Sequence, residues 1–261
     1  MPEQHLHLQP LASGARICVS GTRAAYFGPG LRLSPHRNAT ATLVLSPREP
    51  FDLERLGPDA PGPRVARSRA ALIPPGARHH LRAAGPLAFV YLDPLSDDFA
   101  RLGALDVGAA ATRLRSGQGD AWWAWNVDEL CAHLGVPARG APDERIARVV
   151  RRVDGWPQTF PHLRDAADLA GLSPAHFGEW FRRSVGVPFR RYRLWRRMAV
   201  VLRVVSAGGT LTAAAFEAGF ASSAHLSAAF RAMFGLTPSA LVALGASIEF
   251  TTAGGGAAPP G

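Results

Sequence analysis

The sequence predicts an α+β protein: a β-barrel or sandwich at the N-terminus, a helical linker, and an all-α C-terminal domain of two helix-turn-helix units joined by a long helix. Three observations predict it. Residues 15–95 hold short alternating or apolar runs punctuated by Gly and Pro, the pattern of many short strands. Residues 163–235 contain an internal repeat. Residues 182–203 carry eight Arg and no acid.

The strands come first. "ATATLVLS" alternates around Leu43 and Leu45, "AALIPPGARHHL" is a short apolar run ending in a Pro-Gly turn, and "PLAFVYLDP" reads as a buried strand. "LGPDAPGPR" is turn or loop. From "PLSDDFARL" the pattern turns helical, and "DAWWAWNVDELCAHLG" has an aromatic and Leu face. "GVPARGAPDE" is the linker candidate. The expected division is 1–95 for the strand domain, 96–142 for the helical linker, 143–246 for the helical domain and 247–261 for a disordered tail.

The repeat organises the helical domain. Leu163, Ala166, Ala167, Ala170, Gly171 and Leu172 recur as Leu211, Ala214, Ala215, Ala218, Gly219 and Phe220, each 48 positions on. After one inserted residue, Phe177, Phe181, Arg182 and Gly186 recur as Leu226, Phe230, Arg231 and Gly235 at 49. In each copy small residues let a second helix approach closely, and a glycine supplies the left-handed turn between the two helices. Ser173 caps the next helix, with Pro174 in its first turn. This is the pattern of a helix-turn-helix, whose second helix enters the DNA major groove. A plain αα-hairpin explains one copy as well; two copies with a basic connection favour DNA. The connection, residues 188–208, has no breaker after Pro188. It reads as one helix of roughly 30 Å, near the ~34 Å of one DNA turn.

Charge agrees. The net charge is +9, and all 29 cations are Arg, the residue suited to bidentate phosphate and guanine contacts. Residues 143–244 hold 14 Arg against 7 acids, and residues 1–142 hold 15 against 12. Cys18 and Cys131 are too few and too far apart for a zinc spacing or a disulfide framework. No signal peptide or apolar run long enough to span a membrane is evident, so a cytoplasmic protein without membrane association is expected.

"AGLSPAHFGEWFRRSVGVP", "RRYRLWRRM" and "AGFASSAHLSAAFRAMFGLTP" fall in the order and spacing of the AraC/XylS transcription regulators, and residues 143–244 resemble that family's DNA-binding domain. The resemblance implies double-stranded DNA as partner, with RNA polymerase as a further one. It places Ser173, Ala175, Gly178, Glu179, Arg182 and Arg183 of the first recognition helix at the DNA. In the second it places Ser222, Ser223, Ala224, His225, Ser227, Ala228 and Arg231. Arg196 and Arg197 of the connecting helix are expected to touch phosphate or to pack. This chain departs from the family at Ala228 and Glu179, where long polar or Arg side chains are common, and in "ALVAL" after "TPS". Small residues offer little hydrogen-bond readout. Glu179 can accept from a cytosine amino group or bridge Arg182 or Arg183 one turn on, the second being favoured.

The N-terminal part is similar to the cupin-type sensor domains joined to such DNA readers. Pro74, Gly76 and His79 match the second cupin motif; in the first, His36 remains but Asn38 stands where a second His would be. His36, His79, His80 and Tyr91 are candidates for lining an effector pocket, though histidines of purely structural role explain the first three equally well. They are too few for a metal site, and no metal or cofactor is expected. The resemblance thus implies a regulator responsive to a small-molecule effector. The alternative is a cupin-type metal-dependent enzyme with an accessory helical domain. The apolar side chains of segment 96–135, Trp122, Trp123, Trp125, Leu130 and Leu134, suit packing on the barrel or, alternatively, a weak homodimer.

Overall fold

The computed structural model describes residues 14–57, 65–95, 107, 108, 112, 124–135, 143–155, 160 and 162–251. Among the described residues, nine strands form in the N-terminal part: β1 (Arg16–Ser20), β2 (Arg23–Gly28), β3 (Arg32–Arg37), β4 (Thr42–Leu45), β5 (Phe51–Arg55), β6 (Val65–Ser68), β7 (Ala70–Ile73), β8 (Arg78–Arg82) and β9 (Leu87–Tyr91). They build two sheets. One has the order β1-β2-β9-β4-β7, extended at the β1 edge by a C-terminal strand; the other has the order β3-β8-β5-β6.

The larger sheet is covered on both faces, which explains its near-continuous apolar runs. Alternate side chains divide between two cores. Ile17, Val19, Val44 and Phe89 face the smaller sheet. Cys18, Leu43, Leu45, Ala88 and Val90 face the other way, onto helix α1 (Val127–His133). Asn126 caps α1, accepting from Asp128 and Glu129 N–H, while the Glu129 carboxylate accepts from the Asn126 N–H. Leu130 and Leu134, two candidates for a dimer surface, are buried against the sheet instead. Trp122 and Trp123 lie outside the described residues.

The helical part follows as α2 (Glu144–Gly155), α3 (Leu163–Ala170), α4 (Pro174–Val185), α5 (Phe189–Ser206), α6 (Leu211–Glu217), α7 (Ser223–Phe234) and α8 (Pro238–Ala243). The repeat appears in the hydrogen bonds. Leu172 N–H donates to Ala167 O at 3.0 Å, and Phe220 N–H to Ala215 O at 2.8 Å. Ser173 accepts from His176 N–H, and Ser222 from His225 N–H. The α3–α4 and α6–α7 pairs are the two helix-turn-helix units, and α5 joins them.

The two units do not share one core. The α3–α4 unit packs with α2 and the start of α5, around Phe177, Phe181, Phe189 and Tyr192. The α6–α7 unit is continuous with the interior of the sheets: Trp195, Met198 and Val201 of α5 and Leu226, Phe230 and Phe234 of α7 pack in one cluster with Ile17, Leu33 and Phe89. Helix α5, 18 residues long and so about 27 Å, passes from one core into the other. Trp195 Nε1 donates to Thr22 O at 3.1 Å, and Arg196 to Gly21 O at 2.7 Å, both at the β1–β2 turn. Ser34 N–H of β3 donates to Gly235 O at 2.8 Å, at the end of α7.

One expectation is corrected. Residues 247–251, placed in a disordered tail, form β10 (Ser247–Thr251), which pairs parallel with β1 from Arg16↔Ser247 to Ser20↔Thr251. Gly245, at φ 63°, turns the chain after α8 so that "SIEFT" can reach the sheet edge. Its partner lies at the opposite end of the chain, beyond any local reading of the tail.

The repeat glycines test this asymmetry. Gly186 and Gly235 both cap helices at positive φ, but a Cβ at Gly186 meets nothing within 4 Å, while one at Gly235 lies 2.7 Å from His36 Nδ1 and from Leu33 Cβ. Gly186→Ala should therefore cost about 1–2 kcal/mol of backbone strain. Gly235→Ala should cost that plus about 1–3 kcal/mol of overpacking and loosen α7 from the sheet. Urea unfolding of the two variants checks it; equal losses would contradict the close approach.

Candidate nucleic-acid interface

The residues expected at DNA separate into those the fold presents and those it withholds. Ser173, Ala175, Arg182 and Arg183 of the first unit are exposed, with Gly178 and Glu179 half-buried. In the second, Ser222, Ser223, Ala224, His225, Ala228 and Arg231 are exposed, with Ser227 half-buried. The apolar faces of both recognition helices are buried, so only these small and polar faces are free to meet a groove.

Glu179 takes the ion-pair role. It accepts from Arg182 at 3.0 Å and from Arg183 at 2.9 Å; these bonds, Arg182's first, hold its carboxyl below the usual carboxylate range. Such surface pairs are worth little, so both guanidiniums can exchange the carboxylate for phosphate. Arg190, in the first turn of α5, is also exposed. It belongs to the acid-free Arg run of residues 182–203 but is absent from the residues the family resemblance places at DNA.

Arg196 and Arg197 do the packing and are not presented for phosphate. Arg196 pairs with Asp154 at 2.7 Å besides its bond to Gly21 O. Arg197 donates to Ala218 O at 2.6 Å, and its guanidinium lies 3.7 Å from the Phe220 ring centroid. Burial, then the charge of Arg193, lowers its pKa from the usual arginine value. The sequence showed a run of cations without acids; it could not show that backbone carbonyls and an aromatic ring receive two of them. Arg231 is divided: exposed, yet donating to Ser34 Oγ at 3.2 Å.

The cupin-motif histidines meet the second unit. The His36 and His79 rings are 4.2 Å apart, buried, with Nδ1 donating to Ser34 O and Ala77 O respectively. Burial, then the His79 charge, pushes the His36 pKa down to about 4; burial also lowers that of His79. His80 pairs with Glu54 at 3.4 Å. Among the described residues no group of three His, Cys, Asp or Glu side chains is placed to hold a metal ion. Of the four effector candidates, Tyr91 lines an apolar cavity. That cavity lies between the larger sheet and helices α5 and α7, with Ile17, Val19 and Phe89 on one side and Trp195, Met198 and Phe234 on the other.

Residues 166–243 match a family described as a helix-turn-helix domain. The fold is similar to ToxT from Vibrio cholerae O395, at 12% identity over 88% of this chain and 96% of that one, with a TM-score of 0.53. It is also similar to unsaturated-fatty-acid-bound ToxT from Vibrio cholerae strain SCE256, at 11% identity over 85% and 95%, with a TM-score of 0.55. No curated protein sequence matches the chain. The C-terminal region holds a helix-turn-helix domain, and the chain shares with ToxT a sheet-rich N-terminal part followed by helices.

Two predictions follow from the geometry. Removing Arg182 or Arg183 by substitution with Ala should reduce the log–log salt slope of DNA binding by about 1, while Arg197→Ala should lower thermal stability and leave the slope unchanged. Equal slopes for all three would contradict the assignment. The second concerns pH. His36 has its pKa depressed on folding, so between about pH 6.5 and about pH 4 the unfolded chain binds more protons and stability falls as pH falls. His36→Gln should flatten that decline in melting temperature; an unchanged profile would contradict the burial of a neutral ring.

Proposed function

We propose that the chain is a transcription regulator that binds double-stranded DNA through both helix-turn-helix units and responds to a small apolar effector. The observation that carries this is the duplicated unit, with its caps and exposed faces repeated 48–49 residues apart. The enzyme alternative finds no support in the match to a DNA-binding family or in the side chains around His36 and His79. The cytoplasm is the compartment, and RNA polymerase the second macromolecular partner, that such a regulator requires.

The effector reading rests on the cavity between the sheet and α5 and α7. Its walls come from both parts of the chain. As it stands its volume is about 70 Å³. A larger ligand has to move α5 or α7 relative to the sheet. It thereby distinguishes two arrangements of the second unit, which is what a ligand must do to shift an equilibrium. ToxT has been solved with an unsaturated fatty acid bound; the coarser property carried over to this chain is an apolar ligand body. Arg23 and Arg196, also in the cavity wall, pair with Asp128 and Asp154.

The test is binding of the full chain to duplex DNA from its own upstream region. Affinity should fall steeply with salt, by about 0.9 log units per neutralised phosphate per decade. It should also change in the presence of an apolar ligand that raises the melting temperature. A folded chain with no salt-sensitive binding to any duplex would overturn the reading.

A further inference from the structure

The first two turns of the recognition helices hold few of the long side chains that usually read bases, Arg182, Arg183 and Arg231 lying in the last turns, which leaves open how this chain distinguishes sequences. The first turn of each recognition helix gives one answer. In α4 the cap and first three residues are Ser173, Pro174, Ala175 and His176; in α7 they are Ser222, Ser223, Ala224 and His225. His176 and His225 are equivalent in the repeat, 49 positions apart. Each is exposed, and each is the one long polar side chain in its first turn. One turn further on, the first helix offers Gly178 and a Glu179 already bonded to two arginines; the second offers only Ser227 and Ala228.

The ring of His225 is oriented. Ala221 N–H donates to its Nδ1 at 3.4 Å, and the Phe220 ring stands edge-on to it with centroids 5.3 Å apart. With Nδ1 accepting, the neutral ring carries its proton on Nε2, which is the donor available to DNA. A single imidazole donor suits guanine. Guanine presents two adjacent acceptors, N7 and O6, in the major groove. Adenine places a donor beside its N7, thymine a methyl group beside its single acceptor O4, and cytosine presents only a donor.

We propose that His176 and His225 are the specificity-determining pair of this protein, each donating to a guanine, so that the operator carries two guanines about one helical turn, ~10–10.5 base pairs, apart. The proposal rests on the DNA-binding reading and deepens it. The small neighbours become intelligible: Ala175, Ala224 and Ser223 let the helix N-termini come close enough for a side chain as short as His to reach base edges.

The experiment is selection of randomised duplexes by the full chain, followed by the same selection with His225→Gln, His176→Gln and His225→Ala. The unchanged chain should enrich sites with two guanines one turn apart. Each Gln variant should change the preference at one of the two positions from guanine to adenine, because Gln pairs with adenine N6 and N7. The Ala variant should lose discrimination at its position by about tenfold or more while its melting temperature stays that of the parent. If the parent's sites show no such guanine pair, or the variants weaken binding to all sequences equally, the histidines contact the backbone or nothing and the proposal falls. Absence of binding to any duplex by the unchanged chain would instead remove the DNA-binding reading itself, and the proposal with it.

Discussion

Everything else in the molecule depends on the burial of Trp195 at the junction of the sheets and the second helix-turn-helix. Its indole packs against Tyr91 and Phe234, and its Nε1 is held by the Thr22 carbonyl. One turn earlier on the same helix, Tyr192 belongs to the core of the first unit. A helix is a stiff rod over this distance, so fixing Trp195 to the sheet and Tyr192 to the first unit fixes both units relative to the sheets. The apolar face of α5 that does this is continuous: Phe189, Tyr192, Trp195, Met198 and Val201 are all buried.

This makes the two DNA-reading units physically unequal. The first has its own core and touches the rest mainly through α2 and the start of α5. The second contributes its core to the sheets, accepts a backbone hydrogen bond from β3 at Gly235, and is followed by a strand that joins the larger sheet. A change in the sheet therefore reaches the second unit directly and the first through α5 and through Leu95, just beyond β9. The cavity lies at that direct contact. Under the proposed reading, an apolar ligand there would replace contacts that hold α7 in place, and coupling between effector and DNA would follow from shared packing without a separate relay.

Local chemistry made much of this readable in advance. The repeat of Ala, Gly and aromatic positions specified both helix-turn-helix units, because close helix crossings and left-handed caps allow few residue types. The unbroken run from Pro188 specified α5. Glu179 lay within one turn of Arg182 and Arg183, so its ion pairs were also readable. What escaped were contacts between segments distant in sequence: β10 against β1, Arg197 over Phe220, Arg196 at Gly21, and His36 beneath Gly235. Composition shows eight arginines without an acid, but a carbonyl or an aromatic ring that receives a guanidinium leaves no mark in charge counts. The cupin motif likewise suggested a pocket at His36 and His79, whereas these rings pack under the second unit and the cavity opens at Tyr91. His176 carries a weaker sequence signal for a simpler reason: the repeat is marked by its apolar positions, and exposed ones are freer to vary.

The shared core makes the sheets and the second helix-turn-helix one cooperative unit and the first helix-turn-helix a separate one. Native-state hydrogen exchange on the full chain tests it most directly, since residues in one cooperative unit open with one free energy. The account predicts that amides of β1, β2 and β9, the C-terminal half of α5, α6 and α7 share an opening free energy, and that α3 and α4 open at a different one. Exchange in which α6 and α7 open together with α3 and α4, independently of the strands, would contradict it.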